Sequence, residues 1–473
     1  RMWCLFFAVV ALVLIHPSLE FDVYSTRGAF LAVNFTTGEA HCWGRSSRGG
    51  DCKDLDFQGV TDVFSNGYSF VALRKQNGTA QCWGGKSYGG DCSGMNFSGV
   101  TQVYGSLAAF MALDEDTGRG WCWGPHMAGG DCSNRDLQGV TLVKNTMNAF
   151  ATVDTSTGYG SCWGDREYGG ECYHIDFYGA TAMYSNAHAF LVLASPYGHQ
   201  YGQCWGSQYW GGDCTGMNFE DVTHVYNTAK AFMAFNKDTG TAFCWGDPLS
   251  GGDCAGKSFG GVTDVFSTSH AFMAWHRNTG TAQCWGRAKY GGDCTSQQFA
   301  GVTDIYSTCC AFMAYNSNTG AAQCWGLKSN GGDCVKLTFP RHARIHSNPY
   351  SFVAMDSHTL HGHPTAVQMW GEDSGSDFVP LEDWFYQQLG VVTTTTTTTT
   401  TTVTTTTITT TTTITNSSST TARIVVAESA APTQNGKKKQ LAFVDDARPL
   451  RMSFILQMIA LVCAVGSSVL QER

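Results

Sequence analysis

The chain has 473 residues with a formal charge of −9; 43% of them are hydrophobic and only 14% charged. The only basic run is Lys437, Lys438 and Lys439, so the composition leaves no footprint for a nucleic-acid partner. Twenty cysteines in such a chain exclude a reducing compartment, where thiols of this number would be an anomaly.

In chain order, residues 1–20 read as a signal peptide. Met2 to Ile15 is an apolar run behind Arg1, of leader length and too short to span a bilayer comfortably. Residues 21–385 then hold one unit repeated nine times at about 40 residues, marked by Trp43, Trp83, Trp123, Trp163, Trp205, Trp245, Trp285, Trp325 and Trp370. Eight copies carry C-W-G-x4-G-G-[DE]-C, with cysteines ten positions apart. From Gly99 to Gly130 a unit runs V-T-Q-V-Y, A-A-F-M-A-L, D-E-D-T-G and G-W-C-W-G, which is three short strands separated by turn residues. The middle strand is apolar on both alternating faces (Ala271 to Trp275, Ala311 to Tyr315), so it must be covered on both sides.

A sheet stacked between two like sheets meets that need, which leaves a β-propeller or an open solenoid. The first unit is a full-pattern copy rather than an atypical cap, and this favours the closed ring. The expected fold is therefore all-β: a propeller of eight to nine three-stranded blades, each with a disulfide inside the repeat, followed by a disordered Thr-rich stalk and a C-terminal hydrophobic helix.

The expected bridges are Cys42–Cys52, Cys82–Cys92, Cys122–Cys132, Cys162–Cys172, Cys204–Cys214, Cys244–Cys254, Cys284–Cys294 and Cys324–Cys334. The ninth unit has Met369 in place of the first cysteine and Phe378 near the second, and this joint loss favours pairing within a unit. Pairing between neighbours stays open if the ring joins Cys334 to Cys42. A zinc site would need clustered ligands at short spacings, which the pattern lacks. Cys309 and Cys310 lie outside the framework and could bond to each other, cross-link two chains or stay free. The acids of G-G-[DE]-C could ring an axis and hold cations, but an Asp in this position more often caps its own turn.

The strand pattern resembles the regulator of chromosome condensation repeat, and still more the propeller-type β-lactamase inhibitor protein, over roughly residues 21–378. The resemblance is carried by the small-aromatic-apolar middle strand, the turn glycines Gly78, Gly118, Gly240, Gly280 and Gly320, and the closing W-G. It implies a propeller. The shorter period, the nine units and the added cysteines depart from both families, and fold alone does not carry function across.

Residues 386–451 read as stalk and linker, with 393–421 almost pure threonine. Such a tract buries no core and in a secretory chain reads as an O-glycosylated spacer. Residues 452–470 suit either a transmembrane helix or a lipid-anchor signal, so the head is expected at the cell surface, anchored to the plasma membrane. Sequons at Asn34, Asn77, Asn96 and Asn416 are candidate N-glycan sites.

No nucleophile–base pair or phosphate loop recurs in a fixed context, so enzyme activity is not expected, nor a metal or other cofactor. His358, His361 and His363 form H-x-x-H-x-H in the ninth unit, where a polar surface loop is a simpler reading than a metal site. The most functional-looking feature is variation inside a constant frame. One variable set lies in the turn before A-F and includes Arg27, Tyr68, Asn148, His188, Lys230, His270 and Tyr350, expected at exposed tips. A second lies between W-G and G-G and includes Tyr88, Tyr168, Trp210 and Tyr290. The reading is a surface recognition or adhesion module for an unknown protein or glycan. A protective coat protein and an inhibitor of an extracellular enzyme are the alternatives.

Overall fold

The computed structural model describes residues 21–355 and the strands at 359–360, 363–364, 367–371, 409–415 and 421–427. The repeats fold as one unit, Leu19–Phe378. Within it each repeat is an antiparallel sheet of an inner, a middle and an outer strand, for example Asp22–Ser25, Ala29–Asn34 and Glu39–Gly44. There are nine such sheets, the ninth built from Arg344–Ser347, Ser351–Met355 and Val367–Gly371.

The middle strands are buried along nearly their whole length because a neighbouring blade covers each face. The phenylalanine of every middle strand, from Phe30 through Phe110 to Phe352, is completely buried. Each stacks on the tryptophan opposite it in the outer strand, with ring centroids 4.9–5.5 Å apart. The tail after G-G-D-C then delivers another aromatic edge-on to the next blade's tryptophan, as in Phe57 on Trp83 at 5.6 Å and Phe97 on Trp123 at 5.7 Å. Offset and edge contacts of this kind suit the aromatic quadrupole and lock neighbouring blades together.

Polar bonds repeat alongside the aromatic ones. In eight blades the indole Nε1 donates to the carbonyl of the first glycine of the preceding blade's G-G pair, at 3.0–3.1 Å. That glycine has φ between +88° and +104°, and a Cβ on it would lie 2.5–2.6 Å from the next blade's buried phenylalanine ring. Only glycine satisfies both demands.

The ring closes. Val353 and Met355 of the ninth blade share a cluster with Phe30 of the first, flanked by Val23, Trp43 and Met369, and Ser25 Oγ donates to the Ser347 carbonyl at 3.2 Å. The fold is thus a single propeller of nine three-stranded blades.

All eight framework disulfides form within their own repeat, with Cα–Cα distances of 5.5–5.8 Å. Each ties an outer strand to the loop beyond it. Cys309 and Cys310 bond to each other.

Within the threonine-rich region Thr409–Thr415 pairs antiparallel with Thr421–Ala427. β-Branched residues favour that backbone. The segments 1–20, 386–408 and 428–473, with the expected leader and hydrophobic anchor, lie outside the described residues, as do Asn416, His358 and His361. Among the described residues no helix is long and apolar enough to cross a membrane.

Candidate functional site

Just before each variable turn pair stands a small polar residue: Thr26, Asn66, Ser106, Thr146, Asn186, Thr228, Thr268 and Thr308, all buried. Its side chain donates, at 2.6–3.0 Å, to the carbonyl of the residue preceding G-G in the same blade. The bond ties the turn to the W-G-x4-G-G loop, which winds as a single 3-10 turn such as Lys86–Tyr88. Both variable sets therefore lie on one face of the disc.

The first residue of each turn pair faces the axis. Arg27, Gly67, Leu107, Met147, Ala187, Ala229, Ser269 and Cys309 each donate their backbone N–H to the corresponding carbonyl of the next blade, ending on Pro349, at 2.7–3.2 Å. These eight bonds make a directional belt around the axis. Proline has no N–H to return to Arg27, and Arg48 Nη1 donates to the Arg27 carbonyl instead, at 3.4 Å.

The second residue of each pair packs between its own blade's loop and the preceding one. Tyr68 stacks on Tyr88 with centroids 4.5 Å apart and lies under the Arg48 guanidinium, 5.4 Å away. His188 sits between Tyr168 and Trp210, at 5.0 and 4.0 Å, and Lys230 Nζ is 4.5 Å from the Trp210 ring. His270 packs on Tyr290 at 4.9 Å while its Nδ1 meets Ser250 Oγ at 3.1 Å. Asn148 and Tyr350 are half-buried.

The expectation that these turns are exposed tips is corrected by that packing. His188 is only 7% exposed and Ala108 and Cys310 are buried, because the neighbouring loop folds over each turn. Exposure belongs to the loops, at Tyr88 (43%), Met127 (61%), Leu249 (64%) and Tyr209 (84%). Burial with Lys230 nearby pushes the His188 imidazole down to about 4, and burial beside Arg287 and Lys230 also lowers His270. Both are neutral near pH 7.

Two other expectations resolve here. The G-G-[DE]-C acids do not form a cation ring: Asp51, Asp91, Asp131, Asp213, Asp253, Asp293 and Asp333 each accept the backbone N–H two residues on, which closes their own turn. Asn34 is corrected as a glycan site, since it is 2% exposed and its Oδ1 accepts the N–H groups of Thr36 and Thr37. Asn77 and Asn96 are exposed.

Beside the belt a cavity of about 380 Å³ is lined by residues of the first five blades, Ser25 to Arg27 through Ser185 to Ala187, and by Pro349. Reading the sequence missed Arg48, which donates to the carbonyl of the lining residue Arg27; its signal was its place directly before G-G, the position held by Tyr88, Tyr168, Trp210 and Tyr290 in other copies.

No family model matches the chain, and no curated protein matches it. It aligns with the ectodomain of the Physcomitrella patens receptor kinase CR4 at 14% identity, over 56% of this chain and 69% of that one, with a TM-score of 0.37. The CRINKLY WD40 ectodomain of the Arabidopsis thaliana receptor kinase ACR4 aligns at 13% over 56% and 94%, TM-score 0.34, and Kluyveromyces lactis Hsv2 at 7% over 75% and 96%, TM-score 0.26. These likenesses carry no argument about ligand or activity, and the propeller rests on its own nine closed sheets.

Proposed function

We propose that this chain is an extracellular recognition module, non-enzymatic, whose ligand docks on the face where the two variable sets meet. One observation carries the reading: an unvarying set of side-chain-to-carbonyl bonds holds residues that differ from blade to blade on a single surface. A constant scaffold under changing loops is how binding surfaces are generally built. The nine disulfides support an oxidising compartment. Anchoring at the plasma membrane through the 452–470 segment and a glycosylated spacer complete the proposal.

The test is binding of the secreted chain to glycan and extracellular-protein arrays, compared with a variant in which Tyr88, Met127, Tyr209 and Leu249 are alanine. Those side chains are exposed, so the unfolding midpoint should hardly move while binding is lost. Unaltered binding by the variant, or none by the parent, would overturn the reading. The eight framework bridges favour a second one, a protective coat, which predicts survival under prolonged proteolysis and no array ligand.

A further inference from the structure

The axial cavity points to a ligand chemistry. It is a largely open depression of about 380 Å³, which would leave a ligand partly in solvent. Among its described lining residues Arg27 alone is ionisable; the rest are Ser, Thr, Asn, Gly and small or aliphatic side chains. Arg27 is half-buried. Among the described residues no side-chain hydrogen bond or ion pair engages its guanidinium, although its backbone is fully used in the belt.

A second guanidinium lies next to Arg27, outside the lining of the cavity itself. A Cβ on Gly28, the neighbour of Arg27, would be 2.8 Å from Arg48 Cδ and 3.2 Å from Arg48 Nη1. Arg48 also reaches the Arg27 carbonyl that Pro349 leaves without a donor, and it covers Tyr68. No ion pair in the described residues neutralises Arg48 either. Two guanidinium groups beside a cavity whose described lining residues include no carboxylate are matched to an anion, and their planar forks suit a carboxylate.

Beside them Tyr88, stacked on Tyr68, is 43% exposed. An exposed tyrosine, with an apolar ring and a polar tip, suits the C–H face and hydroxyls of a pyranose. An acidic peptide fits less well, because peptide docking by strand addition needs unpaired backbone groups, and the belt bonds already occupy those around the axis.

We propose that the mouth of the axial cavity binds the carboxylate-bearing residue of an acidic oligosaccharide, with Arg27 and Arg48 on the carboxylate and the Tyr68–Tyr88 pair against the neighbouring sugar. This rests on the recognition reading above and gives that surface a ligand class. Arg27 reads the charge, and the tyrosine pair reads the ring.

Titration calorimetry on the intact secreted chain tests it with three probes: a tetrasaccharide ending in glucuronate, the same compound with its carboxylates amidated, and a tetrapeptide of Asp and Glu. The acidic saccharide should bind, and amidation, Arg27→Gln or Arg48→Gln should each weaken it at least about tenfold, as expected for loss of one charge-assisted contact. Arg27→Lys should restore part of the loss, and Tyr88→Ala should weaken both saccharide probes. Unfolding midpoints of the Arg27 variants should match the parent's, since no described hydrogen bond or ion pair engages that guanidinium. Equal affinity for the amidated probe, parent-like binding by Arg27→Gln, or binding of the peptide alone would overturn the proposal. Array binding of a neutral glycan that Tyr88 and Tyr209 control would overturn it while leaving the recognition reading standing; silence in both assays would remove both.

Discussion

The indole-to-carbonyl bond between blades can be weighed because the molecule contains its own control. Trp123 is 5% exposed, stacks on Phe110 and donates Nε1 to the Gly89 carbonyl at 3.0 Å. Trp43 stacks on Phe30 in the same way, at 5.3 Å, yet its Nε1 is out of solvent without a partner. Replacing either by phenylalanine costs packing, and more at Trp123, because Trp43 is half-buried whereas Trp123 also takes an edge contact from Phe97 at 5.7 Å. The hydrogen bond adds to that difference. Trp123→Phe leaves the Gly89 carbonyl unpaired, at about 1–3 kcal/mol, whereas Trp43→Phe deletes a donor that is already unsatisfied. Trp123→Phe should therefore be the less stable by about 2 kcal/mol or more. Guanidinium unfolding with the disulfides intact, followed by far-UV circular dichroism and by fluorescence, measures the difference, provided the two probes coincide. Equal destabilisation of the two variants would refute the assignment of this bond as an inter-blade latch.

Peptide mapping without reduction should recover Cys82 joined to Cys92, and removing both as alanine should lower stability by about 3 kcal/mol in the chain-entropy treatment. A Cys52–Cys82 peptide would contradict the within-repeat pairing. Gly89→Ala, with φ +91° and its new Cβ 2.6 Å from the Phe110 ring, should cost several kcal/mol. Gly59→Ala, at φ +70° with nothing within 4 Å, should cost only the backbone term of about 1–2 kcal/mol. Similar melting temperatures for the two would discount the close approach. His188 is held at about 4 in the fold, below its ordinary value of 6.5, so the unfolded chain binds the extra proton between those values. Its contribution is complete above about pH 6.5 and is lost as the pH falls toward 4. His188→Gln should flatten the stability profile in that window, and an unchanged slope would show that the group does not titrate as described.

Much of the fold was legible because it is local and repeated. The two-sided apolar middle strand, as at Ala271–His276, demanded neighbours on both faces, and the joint loss of two cysteines around Met369 carried the pairing. The site was less legible. The burial of His188 depends on Tyr168, which belongs to the preceding copy, and on a loop held over it by the bond from Asn186 to the Trp210 carbonyl. Nothing within either segment signals that closure. The Asn34 sequon misled for a related reason: a residue at the start of a two-strand turn can use its amide to hold the turn, and the motif is silent about which sequons do so. Arg27 and Arg48 stand in different variable sets of the first repeat, and the Thr26 Oγ1 bond to the Arg48 carbonyl, which no local pattern announces, brings them together.

The belt around the axis has a further consequence for how such a chain changes over generations. Every internal blade presents the same donor to one side and the same acceptor to the other, so recombination between copies can add or remove a blade without creating a new kind of contact. The aperture at the axis would widen or narrow with the copy number. The two ends are not interchangeable in this way: Pro349, Met369 and Trp43 occur only where the last blade meets the first. The seam is the one joint at which inheritance by whole repeats must preserve individual residues.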